Sequence, residues 1–223
     1  MKKFLYLLLT TVIAVGFNAC SPDDGQVDEP LTEIPENPDS DNPDDPDNPE
    51  PSKGKTLIVY YSFTNNVHTI VTDLRTQIEA DVIRVQPVEK GLDYAANNYA
   101  IGSAQVQTIR DNPGSASSYP AIDPVEVEIG IYGTIIVAAP LWWSNMAAPL
   151  QTFLFDHGAE MDGKRIGLIV SSASSGISGV EADARRLIPD GNFLSPSLWI
   201  RSSQTSICHS MIAKWLKDIG YTE

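Results

Sequence analysis

Hydrophobic residues follow two alternating patterns along the chain from residue 55 onward. Short and nearly continuous apolar runs, such as TLIVYY at 56–61, are typical of strands that are buried on both faces of a sheet. Between these runs, apolar residues recur at three- and four-residue spacing, which is typical of one face of a helix. The two patterns predict strands at 56–61, 81–85, 134–139, 165–170 and 193–200, and helices at 66–79, 147–157, 178–187 and 205–219.

This alternation of strands and helices indicates the α/β fold class. It predicts a doubly wound parallel sheet of five strands with helices on both faces, within one domain at 54–223. We expect Pro140 to end the third strand, and 94–110 to be helical before a loop at 111–120. Ligands of such sheets bind beyond the carboxyl ends of the strands, so the loops after the first, third and fourth strands are the expected site.

The N-terminus has the composition of an export signal. Lys2 and Lys3 supply positive charge, residues 4–17 form an apolar run without charges, and Asn18-Ala19-Cys20 follows. A cysteine at this point resembles the lipobox of bacterial lipoproteins, in which it becomes the acylated first residue. The alternative is an ordinary signal peptide with a nearby cysteine. We therefore expect residues 1–20 to be a lipoprotein signal peptide, with Cys20 lipidated and the protein extracytoplasmic, at the outer membrane or cell surface.

Residues 21–53 differ sharply in composition from the rest of the chain. They hold eight of the 16 prolines and 12 of the 29 acidic residues, with Lys53 as their one base. Such a segment buries too little apolar surface to fold, so it is predicted to be a disordered acidic tether. Residues 54–223 hold 17 acids and 12 bases, so the folded part has no basic surplus that would attract nucleic acid. Contact with a membrane is expected through the lipid anchor only.

The loop after the first strand is rich in hydroxyl and amide groups. It begins SFTNNV at 62–67 and leads directly into a predicted helix. A helix N-terminus presents unpaired N–H groups and a partial positive charge, which suits a phosphate. Ser62, Thr64 and Asn66 add side-chain donors, while a Walker lysine and a G-x-G-x-x-G pattern are both missing. The alternative is a plain helix cap, which the same residue types favour.

Two further loops have the composition of a ligand site. The segment 140–146 contains Trp142 and Trp143, whose rings offer stacking faces to a flat aromatic ligand. Alternatively, one tryptophan belongs to the core and the other covers a helix. The segment 171–179 consists largely of serine and glycine, which allow a ligand to approach the backbone closely. Taken by itself, this segment is better explained as a flexible surface loop.

Together the three loops resemble those of the flavodoxin family. IVYYSFTNNVHTIV resembles the flavodoxin phosphate loop, and VAAPLWWSNMAAPLQTFL resembles the second flavin loop of its bacterial flavodoxin-like branch. GKRIGLIVSSASSGISGVEADARRLIP resembles that branch's fourth strand and third loop. The resemblance spans about residues 55–220 and implies a sheet order of 2-1-3-4-5 with non-covalently bound FMN. By residue, it implies Ser62, Phe63, Thr64, Asn65, Asn66 and Val67 around the phosphate, Pro140, Leu141, Trp142, Trp143 and Ser144 along the flavin, and Ser171, Ser172, Ala173, Ser174, Ser175 and Gly176 at its polar edge.

Two positions depart from the family's phosphate-loop pattern. Asn65 stands where the family has glycine, and Val67 stands where it has threonine. Asparagine tolerates left-handed backbone geometry better than most residues, so Asn65 is compatible with the turn. Val67 removes one hydroxyl donor, equivalent to about 1–2 kcal/mol of phosphate binding.

The resemblance leads to three hypotheses for function. The first is an FMN-dependent electron carrier outside the cytoplasmic membrane, in which the flavin supplies the redox chemistry. The second is an FMN-dependent NAD(P)H- or quinone-type oxidoreductase, with 93–120 making room for a second substrate. The third is a non-redox binding module that has lost the flavin. We expect no catalytic side chain and no metal site, and the partner is an unidentified redox protein or small-molecule acceptor.

Overall fold

The computed structural model of the protein describes residues 54–222. The signal peptide, the lipidation of Cys20 and the tether at 21–53 therefore lie outside the described residues and stay predictions. Within the described part, no helix combines the length and the apolar character needed to cross a membrane.

A parallel sheet forms the centre of the domain, as predicted. The strands are β1 (Lys55–Tyr60), β2 (Asp81–Arg84), β3 (Tyr132–Trp142), β4 (Asn145–Met146), β5 (Arg165–Ser172), β6 (Asn192–Phe193) and β7 (Leu198–Arg201). Their order across the sheet is β2-β1-β3-β5, followed by an edge position that β6 and β7 share, since both pair with β5. With β5 counted as the fourth parallel strand and the β6/β7 position as the fifth, this is the predicted order 2-1-3-4-5.

Two strand predictions were wrong in detail. The third strand does not end at Pro140, because the backbone continues to Trp142 and returns through β4 as an antiparallel hairpin. The Pro140 carbonyl accepts the Ala147 N–H at 3.2 Å, which ties the hairpin at its base. The predicted fifth strand is split into β6 and β7, and Pro196, which has no N–H to donate, lies between them.

Five helices cover the two faces of the sheet. Helix 94–110 is confirmed with a slightly later start, and the last helix begins at Cys208 after a short 3-10 segment, Ser202–Ile207. Shorter 3-10 turns occupy Ala116–Ser118, Ile129–Ile131 and Gly158–Met161. The helices are α1 (Asn66–Gln77), α2 (Ala96–Asp111), α3 (Ala148–His157), α4 (Ser178–Leu187) and α5 (Cys208–Asp218).

Alternate residues of the central strands supply two separate cores. In β3, Ile135 and Val137 pack with α2, α3 and α4, whereas Ile136 and Ala138 pack with α1 and α5. This two-residue period explains why the strands are continuously apolar. Both cores hold β1, β3 and β5 rigidly, so the loops at their carboxyl ends start from fixed positions.

Candidate functional site

A cavity of about 310 Å³ lies where the loops after β1, β3 and β5 meet. It gathers the first loop (residues 62–67, here the β1 loop), the tryptophan hairpin (residues 140–146) and the start of the β5 loop (residues 171–176). Five predicted residues do not line it: Asn65, Ser144, Ser174, Ser175 and Gly176. The predicted residues that line it are Ser62, Phe63, Thr64, Asn66, Val67, Pro140, Leu141, Trp142, Trp143, Ser171, Ser172 and Ala173.

The β1 loop presents backbone N–H groups that have no acceptor. Asn65 adopts the left-handed conformation with φ 65°, and α1 begins at the next residue. Ser62 Oγ accepts the His68 N–H at 3.2 Å, which caps one donor of the first turn. Among residues 54–222, the N–H groups of residues 64–67 have no protein partner. A left-handed turn leading into a helix with free N–H groups is a ready site for an anion.

The tryptophan hairpin is closed by a turn of two residues. Trp142 pairs with Asn145, and the turn residues Trp143 and Ser144 have φ values of 44° and 67°. Positive φ at both positions is the geometry of a type I′ turn, which normally selects asparagine and glycine. Gly179 at the start of α4 approaches this turn so closely that an added Cβ would lie 1.8 Å from the Ser144 carbonyl oxygen.

The two tryptophans have different environments. The Trp142 ring is half-buried among Tyr61, Phe63 and Tyr94, with centroid distances of 5.6, 6.5 and 4.9 Å. Trp143 is 40% exposed, and its ring centroid is 6.4 Å from that of Trp142 at an angle of 76°. Thus Trp142 joins the aromatic wall of the cavity, while the more exposed Trp143 stands at its rim.

The β5 loop is tied at one end and exposed at the other. Ser172 Oγ accepts the Trp199 indole N–H and donates to the Ser175 carbonyl, both at 2.8 Å. Ser202 Oγ donates to the Ser172 carbonyl at 3.3 Å. These bonds direct Ser171 and Ser172 to the cavity, whereas residues 173–176 are exposed.

Comparison with known proteins identifies the family. A model of the flavodoxin family matches residues 55–219, which is most of the chain. The chain belongs to the flavodoxin family. No curated protein matches the sequence.

Three solved structures with the same fold come from two Bacteroides species and from Lactobacillus acidophilus. A protein of Bacteroides eggerthii, described as a flavoprotein, has a TM-score of 0.60 and 21% identity and covers 75% of this chain and 98% of its own. A flavoprotein of Lactobacillus acidophilus, solved in complex with FMN, has a TM-score of 0.56 and 20% identity and covers 73% of this chain and 98% of its own. A protein of Bacteroides uniformis, also described as a flavoprotein, has a TM-score of 0.57 and 21% identity and covers 72% of this chain and 98% of its own. At these identities the likeness establishes the fold.

The cavity of this flavodoxin domain is uncharged. Among the described residues that line it there is no aspartate, glutamate, lysine, arginine or histidine. Burial raises the pKa of the Tyr94 phenol, which lines the cavity, and of the Tyr61 phenol, whose ring packs edge-on to Trp142, above the ordinary value of 10.0. Both phenols are therefore neutral near pH 7, and an anion here meets hydrogen-bond donors but no formal cation.

Four residues that line the cavity were not predicted from the sequence: Tyr94, Tyr99, Gly102 and Ser202. Asn97, Asn98 and Tyr99 form a left-handed turn, with φ values of 49°, 56° and 64°, that brings α2 to the cavity. A Cβ on Gly102 would lie 3.1 Å from the Trp143 ring and 3.2 Å from the Trp142 ring, so glycine permits this close packing. The Asn97-Asn98 pair was an available signal, because asparagine enters the left-handed region more readily than other residues. Ser202 directly follows β7, so the rule on strand ends could have found it.

Proposed function

We propose that this flavodoxin-family protein binds FMN non-covalently in the cavity and uses it for electron transfer. One observation carries the proposal: unpaired N–H groups at the start of α1 and an aromatic wall from the tryptophan hairpin line the same cavity. The first suits a phosphate and the second a flat aromatic ring. The Lactobacillus acidophilus relative, whose structure is a complex with FMN, supports this ligand.

The donor set of the β1 loop fits the phosphate of FMN. The N–H groups of residues 64–67 have no protein partner among residues 54–222 and lie at or just before the start of α1, where the helix dipole favours negative charge. The hydroxyl groups of Ser62 and Thr64 lie in the same lining and add donors. Val67 supplies only its backbone N–H, since its side chain is 2% exposed and packs in the core of α1 and α5.

The remaining lining fits the ring of a flavin. Trp143 is partly exposed at the cavity, and Ser171 and Ser172 line the same cavity. Bound FMN would supply the redox chemistry of the site. The residues of the chain hold and orient the ring, and no charged side chain of the described lining serves as a general acid or base. This composition favours an electron carrier that exchanges electrons with a redox protein or a small-molecule acceptor.

The location is part of the same proposal. Residues 1–20 have the pattern of a lipoprotein signal, and the acidic, proline-rich segment 21–53 has the composition of a tether. We propose that Cys20 anchors the protein outside the cytoplasmic membrane, with the flavodoxin domain in water. Mass spectrometry of the mature N-terminus tests this, because a diacylated or triacylated Cys20 supports the anchor and an unmodified N-terminus contradicts it.

The test of the proposal is a pair of titrations with FMN and riboflavin, followed by visible absorbance. We expect saturable FMN binding with a perturbed flavin spectrum, and riboflavin binding that is at least about tenfold weaker because it lacks the phosphate. Anaerobic reduction and reoxidation of the bound flavin then checks the redox role. An FMN titration that does not saturate at tens of micromolar would overturn the proposal, and equal affinities would overturn the role of the β1 loop.

A matched pair of threonine variants tests the β1 loop further. Thr64→Val removes a hydroxyl from the cavity lining, whereas Thr72→Val removes one that bonds the His68 carbonyl on exposed α1. We expect the first to weaken FMN binding by about fivefold while riboflavin binding stays unchanged. The second should alter neither affinity.

A further inference from the structure

The tryptophan hairpin is held from outside by two side chains that do not line the cavity. We propose that Arg110 on α2 and Asp183 on α4 are positioning residues, which fix the hairpin backbone and thereby place the Trp143 ring for FMN. This inference rests on the proposed FMN site and names the residues that control its aromatic side. Arg110 lies outside the three segments that resemble flavin loops, and Asp183 lies in the helical part of the third segment, seven residues beyond the β5 loop.

Arg110 binds the outer side of the hairpin. Its guanidinium Nη2 donates to the Trp143 carbonyl oxygen, and its Nε donates to Asn145 Oδ1 at 2.7 Å. One acceptor belongs to the turn residue Trp143 and the other to Asn145, the first residue of β4. A planar guanidinium with several donors in fixed directions suits this double contact.

Asp183 binds the buried side of the same hairpin. Its Oδ2 accepts the Asn145 side-chain amide at 2.8 Å and the Met146 backbone N–H at 2.9 Å. Asp183 is 7% exposed, and its Oδ1 accepts an N–H of Arg186 Nη2 at 3.2 Å. Asn145 therefore bridges Arg110 and Asp183, one through its amide oxygen and the other through its amide nitrogen.

The hairpin needs such external contacts because its own pairing is short. It has two ladder pairs, Leu141 with Met146 and Trp142 with Asn145. Its turn places Trp143 and Ser144 at positive φ, a conformation that residues with a Cβ adopt at a cost. A backbone of this kind persists when surrounding groups over-determine it, and such sites cluster at ligand-binding positions.

The position of the Trp143 ring follows from the position of this backbone. The indole is 40% exposed and meets one other aromatic ring within the described residues, that of Trp142. A guanidinium on its carbonyl thus controls where its exposed face stands relative to the cavity. We call Arg110 and Asp183 together the clamp. Loss of either residue is expected to leave the fold in place and to reorient the Trp143 ring.

Circular dichroism of the flavin-free protein reports this geometry directly. Of the four tryptophans, Trp142 and Trp143 are the pair in ring contact, so their coupled indole transitions should give an exciton couplet. Trp143→Phe assigns the couplet by removing it. We expect Arg110→Gln and Asp183→Asn to reduce it by at least about half and to weaken FMN binding by about tenfold, as expected for the loss of charge-assisted hydrogen bonds. Arg185→Gln is the matched control, because Arg185 on α4 stacks on Phe193, 4.5 Å from its ring centroid, and does not contact the hairpin.

The outcomes separate a positioning role from a structural one. Asp183→Asn leaves one acceptor oxygen where the carboxylate has two, so this variant tests the contacts on the buried side of the hairpin. Arg110→Gln tests the contacts on its exposed side. A lower melting temperature with an unchanged couplet and an unchanged FMN affinity would overturn the proposal. If the wild-type protein fails to bind FMN, the proposed function fails, while an altered couplet in Arg110→Gln still establishes the clamp. An unaltered couplet in that case overturns both.

Discussion

The β1 loop and the tryptophan hairpin follow neighbouring buried strands and line one cavity, yet they are built differently. In the β1 loop, Asn65 takes the left-handed position and Ser62 caps a donor six residues away. In the hairpin, the corresponding geometry falls on Trp143 and Ser144, and the supporting groups come from helices 33 or more residues distant in the chain. The β1 loop is therefore encoded by its own residues, whereas the tryptophan hairpin depends on the packing of α2 and α4.

This difference has an energetic consequence. The β1 loop uses a residue type that tolerates its backbone conformation, so it needs little external support. The hairpin uses a tryptophan and a serine where glycine and asparagine are usual, so contacts with Gly179, Arg110 and Asp183 must compensate. Changes beneath the hairpin should therefore have larger effects than changes within the β1 loop.

The strongest test is to push α4 away from the hairpin. In Gly179→Ala the new Cβ would lie 1.8 Å from the Ser144 carbonyl oxygen, a backbone atom that cannot yield by a rotamer change. We expect a loss of about 3 kcal/mol in the free energy of unfolding, measured by urea denaturation. Gly130→Ala is the control, since a Cβ there meets nothing within 4 Å and should change stability by less than about 0.5 kcal/mol. Similar values for the two variants would refute the close packing of α4 on the turn.

A second test separates the two tryptophans of the hairpin. Trp142→Ala removes a half-buried ring that contacts four other aromatic rings, so we expect a loss of about 2–3 kcal/mol of stability. Trp143→Ala removes a ring that is 40% exposed, so stability should fall by less than about 1 kcal/mol while FMN affinity falls about tenfold. Urea denaturation of both variants measures the loss of stability, and FMN titration measures the loss of affinity. Equal losses of stability would contradict the assignment of Trp142 to the cavity wall and of Trp143 to its rim.

The smallest effect is expected at the β1 loop. Asn65→Gly puts the family's usual residue at φ 65°, where relief of the backbone is offset by greater freedom of the unfolded chain, so stability should change by less than about 1 kcal/mol. Asn65→Val places a branched side chain at the same φ and should cost about 1–2 kcal/mol. Urea midpoints of the two variants measure the contrast. A large gain in stability with glycine would show that this loop, too, is strained.

The tertiary structure departs from the sequence-based predictions where distant segments meet. The sheet order, the helix positions and the two-core pattern were predictable, because periodicity of apolar residues reports which face of each element is buried. Tyr94, Tyr99 and Gly102 were not found, since the Asn97-Asn98 pair signals a left-handed turn but does not show that this turn brings α2 to the cavity. The continuation of β3 past Pro140 was missed for a related reason: its pairing partner, Asn145–Met146, is too short to give a strand pattern.

The order of the sheet, the turn of the β1 loop and the family of the chain could be inferred from local sequence patterns. Each of these depends on short-range information: apolar periodicity, residues that tolerate a left-handed turn, and motifs within one loop. The residues that support the aromatic side of the cavity became visible only in the folded structure, because Arg110, Gly179 and Asp183 contact the hairpin across gaps that no local pattern encodes. A strained turn takes its stability from whatever packs against it, and that partner is set by how the helices cross the sheet.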